Sequence, residues 1–167
     1  QSSSRGNEVD LATPFSGLTL RDYSHCKGVK RRQEILVDRS GMLVISDFAH
    51  HPTAIEGTLR SMRARWPERK IIACFEPRSN TAVTNIFEDR FADALGVADE
   101  VLLGAVHRAE KISVEKRINT QSMIERIKSL GKTGSSFVKN SELGNYLESI
   151  NSEGDAKLVV FFSNGSF

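Results

Sequence analysis

The stretch that decides the fold is MLVISDFAHHPTAIEGTLRSMRARW, which runs from Met42 to Trp66. Its first four residues form a short apolar run with the Val and Ile content of a buried strand. After a polar turn, Thr53 and Glu56 fit the S/T-x-x-E pattern of a helix start, and apolar residues then recur at helical spacing. The stretch therefore predicts a strand that leads through a turn into an amphipathic helix, which is the repeating unit of a layered α/β domain.

The same alternation extends over the rest of the chain. We predict strands near 33–37, 42–46, 70–75, 100–104, 135–138 and 157–162, and helices near 53–66, 83–95, 120–130 and 142–150. The turn-rich residues 38–41 indicate a hairpin between the first two strands. Thr120 and Ser141 are predicted helix N-caps, and Gly131 a C-cap. The predicted fold class is α/β, a Rossmann-like three-layer sandwich whose mostly parallel six-stranded sheet has an antiparallel N-terminal hairpin strand.

Composition indicates one folded unit and excludes several classes of protein. The chain has 167 residues, of which 39% are hydrophobic and 26% charged, as in ordinary soluble domains. No apolar run approaches the roughly 18 residues that cross a bilayer, so we expect no membrane contact. A net charge of +2 gives no reason to expect a nucleic-acid partner. Two distant cysteines, Cys26 and Cys74, fit neither a zinc module nor a disulfide framework and indicate a reducing, cytoplasmic setting.

The N-terminus determines the predicted domain boundaries. Residues 1–7 lack an initiating Met and the apolar core of a signal peptide. We interpret residues 1–14 as a flexible leader that begins at a cut inside a longer protein. Residues 15–167 are predicted to form the single domain.

Polar residues concentrate in the connections that leave strands. These connections are 47–52, 76–81, 105–111 and 163–167, whereas those that lead from helix to strand are plain turns. The carboxyl ends of parallel strands meet at one edge of a sheet, where open α/β folds bind ligands, so we predict one functional edge. Two interpretations of residues 105–119 remain open. His107, Arg108 and Lys111 either line a site or belong to a solvated crossover, and we favour the crossover.

The turn after the second strand offers a carboxylate and two imidazoles. A carboxylate such as Asp47 at a strand end can accept ribose hydroxyls or bind Mg²⁺, and His50 or His51 can contact phosphate or carry a proton. A transition-metal site is an alternative, although adjacent histidines in an extended segment point to opposite faces. In a further alternative, Asp47 only caps the helix and the histidines are ordinary loop residues.

The loop EPRSNT, residues 76–81, carries a guanidinium, an amide and two hydroxyls just before a predicted helix. Such groups bind carboxylate or phosphate, although a Ser-capped helix start explains them equally well. The basic run 28–32 is either solvated surface or close to a phosphate. The sequence contains neither G-x-x-x-x-G-K-[ST] nor G-x-G-x-x-G. Any triphosphate is therefore held by some other element.

Three segments together resemble the C-terminal domain of the Mur ligases, the ATP-dependent amide-forming enzymes of peptidoglycan synthesis. They are GVKRR at 28–32, SDFAHHPT at 46–53 and EPRSNT at 76–81. The double His-Pro-Thr form resembles the branch that acts on UDP-N-acetylmuramate, and EPRSNT with Ser-Asn-Gly at 163–165 resembles the murein peptide ligases. The resemblance covers about residues 15–167. It implies a ligase that joins UDP-N-acetylmuramate to L-alanyl-γ-D-glutamyl-meso-diaminopimelate, a tripeptide, in peptidoglycan recycling.

The resemblance also implies roles for individual residues. Arg32 and Asp47 would contact the nucleotide, and His50 would be the catalytic residue that faces the phosphates or the reacting centre. The residues implied for the peptide site are Arg78, Ser79, Asn80, Thr81, Ser163, Asn164 and Gly165. ATP and Mg²⁺ are the implied cofactors, and no residue of this chain is assigned to the metal.

The implied partners include the two upstream domains of the same protein, since in this family a central domain carries the phosphate loop and most Mg²⁺ ligands. We therefore predict that the isolated chain has no ligase activity. A ligase that adds L-alanine to UDP-N-acetylmuramate is an alternative within the family. A non-catalytic nucleotide- or partner-binding α/β module is an alternative from another class.

Overall fold

A computed structural model describes residues 32–39, 41–150 and 155–165. The proposed leader, Cys26 and the basic run before Arg32 lie outside these residues. The strands are β1 (Glu34–Arg39), β2 (Met42–Asp47), β3 (Lys70–Phe75), β4 (Glu100–Leu103), β5 (Thr133–Ser136) and β6 (Lys157–Phe162). The α-helices are α1 (Pro52–Arg65), α2 (Glu88–Leu95), α3 (Thr120–Ser129) and α4 (Asn140–Ser149). Short 3₁₀ segments occupy Asn85–Phe87 and Ala109–Lys111.

The six strands form one sheet in the order β1-β2-β6-β3-β4-β5. β1 pairs with β2 antiparallel, while β2 with β6, β6 with β3, β3 with β4 and β4 with β5 are parallel. The predicted hairpin and the mostly parallel sheet are therefore confirmed. The last strand, β6, enters between β2 and β3, and this insertion brings distant loops side by side at the carboxyl edge.

Helices cover both faces of the sheet, which confirms the predicted three layers. On one face, alternate residues of β2, β3, β4 and β6 pack with the buried residues of α1, α2 and α3. Phe75 of β3 stacks on Phe91 of α2 with ring centroids 5.0 Å apart. On the other face, Ile72, Leu102 and Val159 pack with Leu143 of α4. Because successive strand residues alternate between faces, β2, β3, β4 and β6 each contribute to both cores.

Several helix starts differ from the sequence prediction. The N-cap of α1 is His51, with Pro52 in the first turn, and no side chain caps the helix, so the predicted Thr53 capping pattern is wrong. Proline has a fixed φ and lacks an N–H, so it is well suited to the first turn of a helix. The helix therefore starts at Pro52, before Thr53 could act as its N-cap. The helix predicted from 83 begins as α2 only at Glu88, because residues 85–87 form a 3₁₀ turn.

Caps of the two later helices also shift by a residue or more. Asn119, not Thr120, caps α3 by accepting the amides of residues 121 and 122 through its side chain. Asn and Thr are both good caps, so composition alone does not choose between neighbours. α4 begins after Lys139, which places Ser141 inside the helix. Leu130 is the C-cap of α3, and Gly131 follows it with φ of +76°, a conformation that favours glycine, so Gly131 ends the helix one residue beyond the predicted C-cap position.

Asp99, at the amino edge of the sheet, links α1 to β3. Its carboxylate accepts hydrogen bonds from the Ile71 amide at 2.8 Å and from the Arg63 guanidinium, and Lys132 lies 4.0 Å away. Burial by itself would raise the pKa of Asp99. The hydrogen bonds from Arg63 and Ile71, with the nearby charges, outweigh burial and hold the pKa below its ordinary value of 3.8.

We predict that D99N lowers the free energy of unfolding of the chain by about 1–2 kcal/mol at pH 7. Because the folded pKa is depressed, this stabilisation is complete above pH 3.8 and is lost as the pH falls through the folded value. Urea unfolding at pH 7, 5 and 3 measures the difference between D99N and the wild type, which should narrow at pH 3. D38N, at an exposed position of β1, is the control. If the difference in free energy of unfolding between D99N and the wild type did not change with pH, the stabilising role of the ionised Asp99 carboxylate would be contradicted.

Within the described ranges, no helix combines the length and the apolar character needed to cross a bilayer.

Candidate functional site

The carboxyl ends of the strands form one continuous polar edge, as the sequence predicted. Backbone hydrogen bonds fasten neighbouring strand ends to each other. The Ser163 amide donates to the Asp47 carbonyl at 3.3 Å, and the Glu76 amide donates to the Phe162 carbonyl at 3.1 Å. The loops that follow β2, β6 and β3 are therefore adjacent, although 87 positions separate Glu76 from Ser163 along the chain.

Asp47 lies at the end of β2 with only 3% of its surface exposed. Its Oδ1 accepts the Ala49 amide at 2.7 Å, and its Oδ2 accepts the Gln33 amide at 3.1 Å. The carboxylate therefore fixes the loop and does not cap α1. It also fastens the segment just before β1, so the exposed Arg32 sits one residue from a partner of Asp47. Each carboxylate oxygen retains a lone pair for a further donor.

The two histidines serve different neighbours. Nδ1 of His50 donates to the Phe48 carbonyl at 2.9 Å, since a carbonyl can only accept, and this leaves Nε2 as the acceptor nitrogen of the neutral ring. His51 instead packs edge-on against Phe87, with ring centroids 5.7 Å apart. In the ranges that the structure describes, no group of three or more His, Cys, Asp or Glu side chains is arranged to hold a metal ion.

Glu76, at the end of β3, is a buried carboxylate with 5% of its surface exposed. Its Oε2 accepts the Ser163 hydroxyl at 2.6 Å, and its Oε1 accepts the Asn140 side-chain amide at 3.2 Å. Arg78 Nη1 lies 3.4 Å from the same carboxylate. Asn140 in turn accepts the Ala105 amide through Oδ1 at 2.9 Å. One carboxylate thus joins the loops after β3, β4 and β6 and the start of α4.

Gly165 packs directly on the Arg78 side chain. A Cβ built on Gly165 would lie only 2.7 Å from Arg78 Cδ and would overlap the guanidinium. The Gly165 amide donates to the Ser163 hydroxyl oxygen at 3.0 Å, which connects this glycine to the Glu76 network. Arg78 is therefore held between the Glu76 carboxylate and the backbone of Gly165, with 28% of its side chain still exposed.

A cavity of about 530 Å³ opens beside Arg78. The charged or ionisable side chains that line it are Arg78, His107, Arg108 and Lys111, and no carboxylate is among its described lining residues. The His107 amide donates to the Pro77 carbonyl at 2.9 Å, which fastens the loop after β4 to the loop after β3. His107, Arg108 and Lys111 thus line this cavity, while Arg108 and Lys111 also remain exposed to solvent, so the preference for a solvated crossover at 105–119 stays a prediction.

Asn164 lines the same cavity and carries an unusual acceptor. Its side-chain oxygen is buried and is the only buried side-chain polar atom within the described ranges that lacks a hydrogen-bond partner. A buried acceptor without a donor costs about 1–3 kcal/mol, and such groups are rare in folded proteins. Because this oxygen is buried, other atoms of Asn164 form its part of the cavity wall.

The structure divides the residues implied for the peptide site. Arg78, Asn80 and Asn164 line the cavity. The Ser79 hydroxyl accepts the Ala82 amide at 3.1 Å within a turn, and the helix begins only at Glu88, so the predicted Ser-capped helix start is wrong. The Thr81 carbonyl accepts the Thr84 hydroxyl at 3.2 Å. These two residues, with Ser163 and Gly165, shape the loops around the cavity and do not line it.

Sequence reasoning did not assign a role to Glu76 or Asn140. Glu76 was visible in the EPRSNT loop, and a carboxylate directly after an apolar strand was the available signal. Asn140 carried none, because its partner is 64 positions away.

Comparison with known proteins adds a family to this geometry. A family model described as "Mur ligase, glutamate ligase domain" matches residues 31–164. A UDP-N-acetylmuramate--L-alanine ligase of Pelobacter propionicus is 33% identical over 159 residues, which cover 95% of this chain and 34% of that protein. One from Desulfitobacterium hafniense is 30% identical over 84% of this chain and 31% of its own length. The chain thus spans about a third of the length of the curated relatives it matches.

Solved structures agree with the sequence comparison. A UDP-N-acetylmuramate-alanine ligase of Thermotoga maritima superposes with a TM-score of 0.62 at 28% identity, over 84% of this chain and 28% of that one. A murein peptide ligase of Psychrobacter arcticus gives a TM-score of 0.67 at 27% identity, with the same coverage of both chains.

Proposed function

The chain belongs to the Mur ligase family, and we propose that it is the C-terminal domain of an ATP-dependent ligase that joins UDP-N-acetylmuramate to the murein tripeptide L-alanyl-γ-D-glutamyl-meso-diaminopimelate. In this proposal the domain closes over the nucleotide and positions the incoming peptide amine. The muramyl carboxylate is activated on the other domains of the protein. The residues described above orient the substrates and stabilise the charge that develops in the transition state.

The charge of the cavity carries the proposal. Arg78, Arg108 and Lys111 face a volume of about 530 Å³, within the range of sites for small molecules, and the buried Glu76 carboxylate beside Arg78 offsets part of their charge. The tripeptide has three carboxylates, whereas L-alanine has one. Because positive charge remains in the cavity, a ligand with several carboxylates gains more from this site than L-alanine does.

The nucleotide side of the proposal rests on the loop after β2. Asp47 would accept the ribose hydroxyls with its remaining lone pairs, and Arg32 would approach the phosphates. His50 would face the phosphates or the reacting centre through Nε2. ATP supplies the phosphoryl group that activates a carboxylate in this proposal. The described residues offer no group of three or more candidate ligands for Mg²⁺, so we assign the cation to another domain of the protein.

Ligation by the full-length protein tests the proposal. Purified enzyme with ATP, Mg²⁺ and UDP-N-acetylmuramate receives either the tripeptide or L-alanine, and product is followed by mass spectrometry. We expect kcat/KM for the tripeptide to exceed that for L-alanine at least a hundred-fold, since two additional charge-assisted contacts contribute about 1.5–3 kcal/mol each. The isolated chain should form no product with either amine.

The alternative within the family is a ligase for L-alanine. One observation favours it, because the curated relatives named above carry that activity in their names. A preference for L-alanine in the same assay would select this alternative. Absence of ligation with both amines would reject both proposals and leave a non-catalytic binding module.

A further inference from the structure

We propose that Glu76 is a positioning residue that fixes the Arg78 guanidinium for recognition of the carboxylate of the amine substrate. The proposal rests on the proposed function, in which Arg78 contacts that substrate. Glu76 does not line the cavity, and only 5% of its surface is exposed. It therefore does not contact the substrate itself and can influence recognition only through a neighbour.

The partners of Glu76 explain why a carboxylate is needed at this position. Ser163, Asn140 and Arg78 all donate to it, so both of its oxygens must accept. A glutamine would offer one oxygen and one NH₂ group, so the NH₂ group would either face the Asn140 and Arg78 donors or require the Ser163 hydroxyl to reorient and accept. The Ser163 hydroxyl and the Asn140 amide hold the carboxylate in place from two sides. The remaining interaction, with Arg78, is the one that reaches the cavity.

Two neighbours consequently define the position of Arg78. The Glu76 carboxylate lies 3.4 Å from Nη1, and Gly165 packs against the side chain. An arginine in water samples many rotamers, and ordering it on binding costs free energy. The buried carboxylate orders Arg78 before the substrate arrives. Replacement of the Glu76 carboxylate with a neutral group should therefore weaken binding of the amine substrate without affecting binding of ATP.

A double-mutant cycle on the full-length protein tests this inference. We expect E76Q to raise KM for the amine substrate about ten-fold and to leave KM for ATP within a factor of about two. In an R78A background, E76Q should change KM for the amine substrate by less than about two-fold, because Glu76 acts through Arg78. The substrate used is whichever of the tripeptide and L-alanine the wild type ligates. If E76Q does not fold, E76D replaces it. E76D keeps the negative charge but moves the carboxylate away from Arg78, and the same non-additivity with R78A is expected.

Unfolding of the same four proteins separates failure of this inference from failure of the proposed function. The urea midpoints of E76Q and R78A should be non-additive in the double variant, whatever the enzyme ligates. Wild-type protein that ligates neither amine would reject the proposed function alone. Additive midpoints, an equal effect of E76Q with and without Arg78, or equal changes in both KM values would overturn the role of Glu76.

Discussion

Replacement of Arg78 with alanine in the full-length enzyme is expected to lower kcat/KM for the amine substrate about a hundred-fold. Arg78 is the cation of the cavity that contacts both the Glu76 carboxylate and Gly165 before a ligand binds. A guanidinium pairs with a carboxylate through two parallel, charge-assisted hydrogen bonds, each of which contributes about 1.5–3 kcal/mol. Loss of about 2.7 kcal/mol corresponds to the hundred-fold change. Initial rates over a matrix of amine and ATP concentrations measure it.

The controls for this prediction test both the charge and the site. R78K keeps a charge but not the two-pronged geometry, so it should recover only part of the loss. R60A removes an exposed arginine of α1 whose partner is Glu56 on the same helix, and it should leave both KM values unchanged. If R78A affected ATP as strongly as the amine, Arg78 would belong to the nucleotide site instead.

Alanine at Gly165 is expected to lower kcat/KM for the amine substrate about thirty-fold in the full-length enzyme. The new methyl group would occupy the space of the Arg78 side chain, so Arg78 must turn away from Glu76. Because the Arg78 side chain is flexible, it can move aside and lose its ordered position while the fold remains intact. The loss of kcat/KM in G165A should therefore be smaller than in R78A. The expected loss corresponds to about 2 kcal/mol of transition-state stabilisation.

A matched glycine distinguishes displacement of Arg78 from a general effect of a methyl group. Gly57 lies in α1 with no atom within 4 Å of a Cβ built on it. G57A should leave the kinetics unchanged and raise the free energy of unfolding by about 0.5–1 kcal/mol, because alanine favours a helix. A G165A enzyme with wild-type KM for the amine would show that the position of Arg78 does not govern recognition.

The insertion of β6 between β2 and β3 decides which parts of the site sequence reasoning found. Periodicity is a local property, since strands repeat every two residues and helices every 3.6, so the strands from β2 to β4 could be predicted within a residue or two of their ends. The order of strands in the sheet has no such local signature. It depends on which pairing buries the most apolar surface over the whole domain.

The Glu76 network illustrates the same limit. Ser163 and Asn140 meet this carboxylate from 87 and 64 positions away, and neither distance corresponds to any repeat in the sequence. Likewise, His107, Arg108 and Lys111 have the composition of a solvated loop, and only the hydrogen bond between His107 and Pro77 brings them to the cavity. Charge alone does not distinguish a binding loop from a surface loop.

The sequence by itself determined the α/β class, the antiparallel opening hairpin, the single polar edge at the carboxyl ends of the strands and the resemblance to the Mur ligases. The class and the hairpin follow from local periodicity and turn residues, and the polar edge and the resemblance follow from short motifs that are each contiguous in the sequence. Only the tertiary structure decided that the Asp47 carboxylate accepts the Gln33 and Ala49 amides and that Glu76 contacts Arg78 beside the cavity. It also decided that one of the two histidines contacts the Phe48 carbonyl and the other the Phe87 ring. Those contacts form because burial of the sheet between two helical layers forces remote loops together, and a buried carboxylate must then find its donors among them.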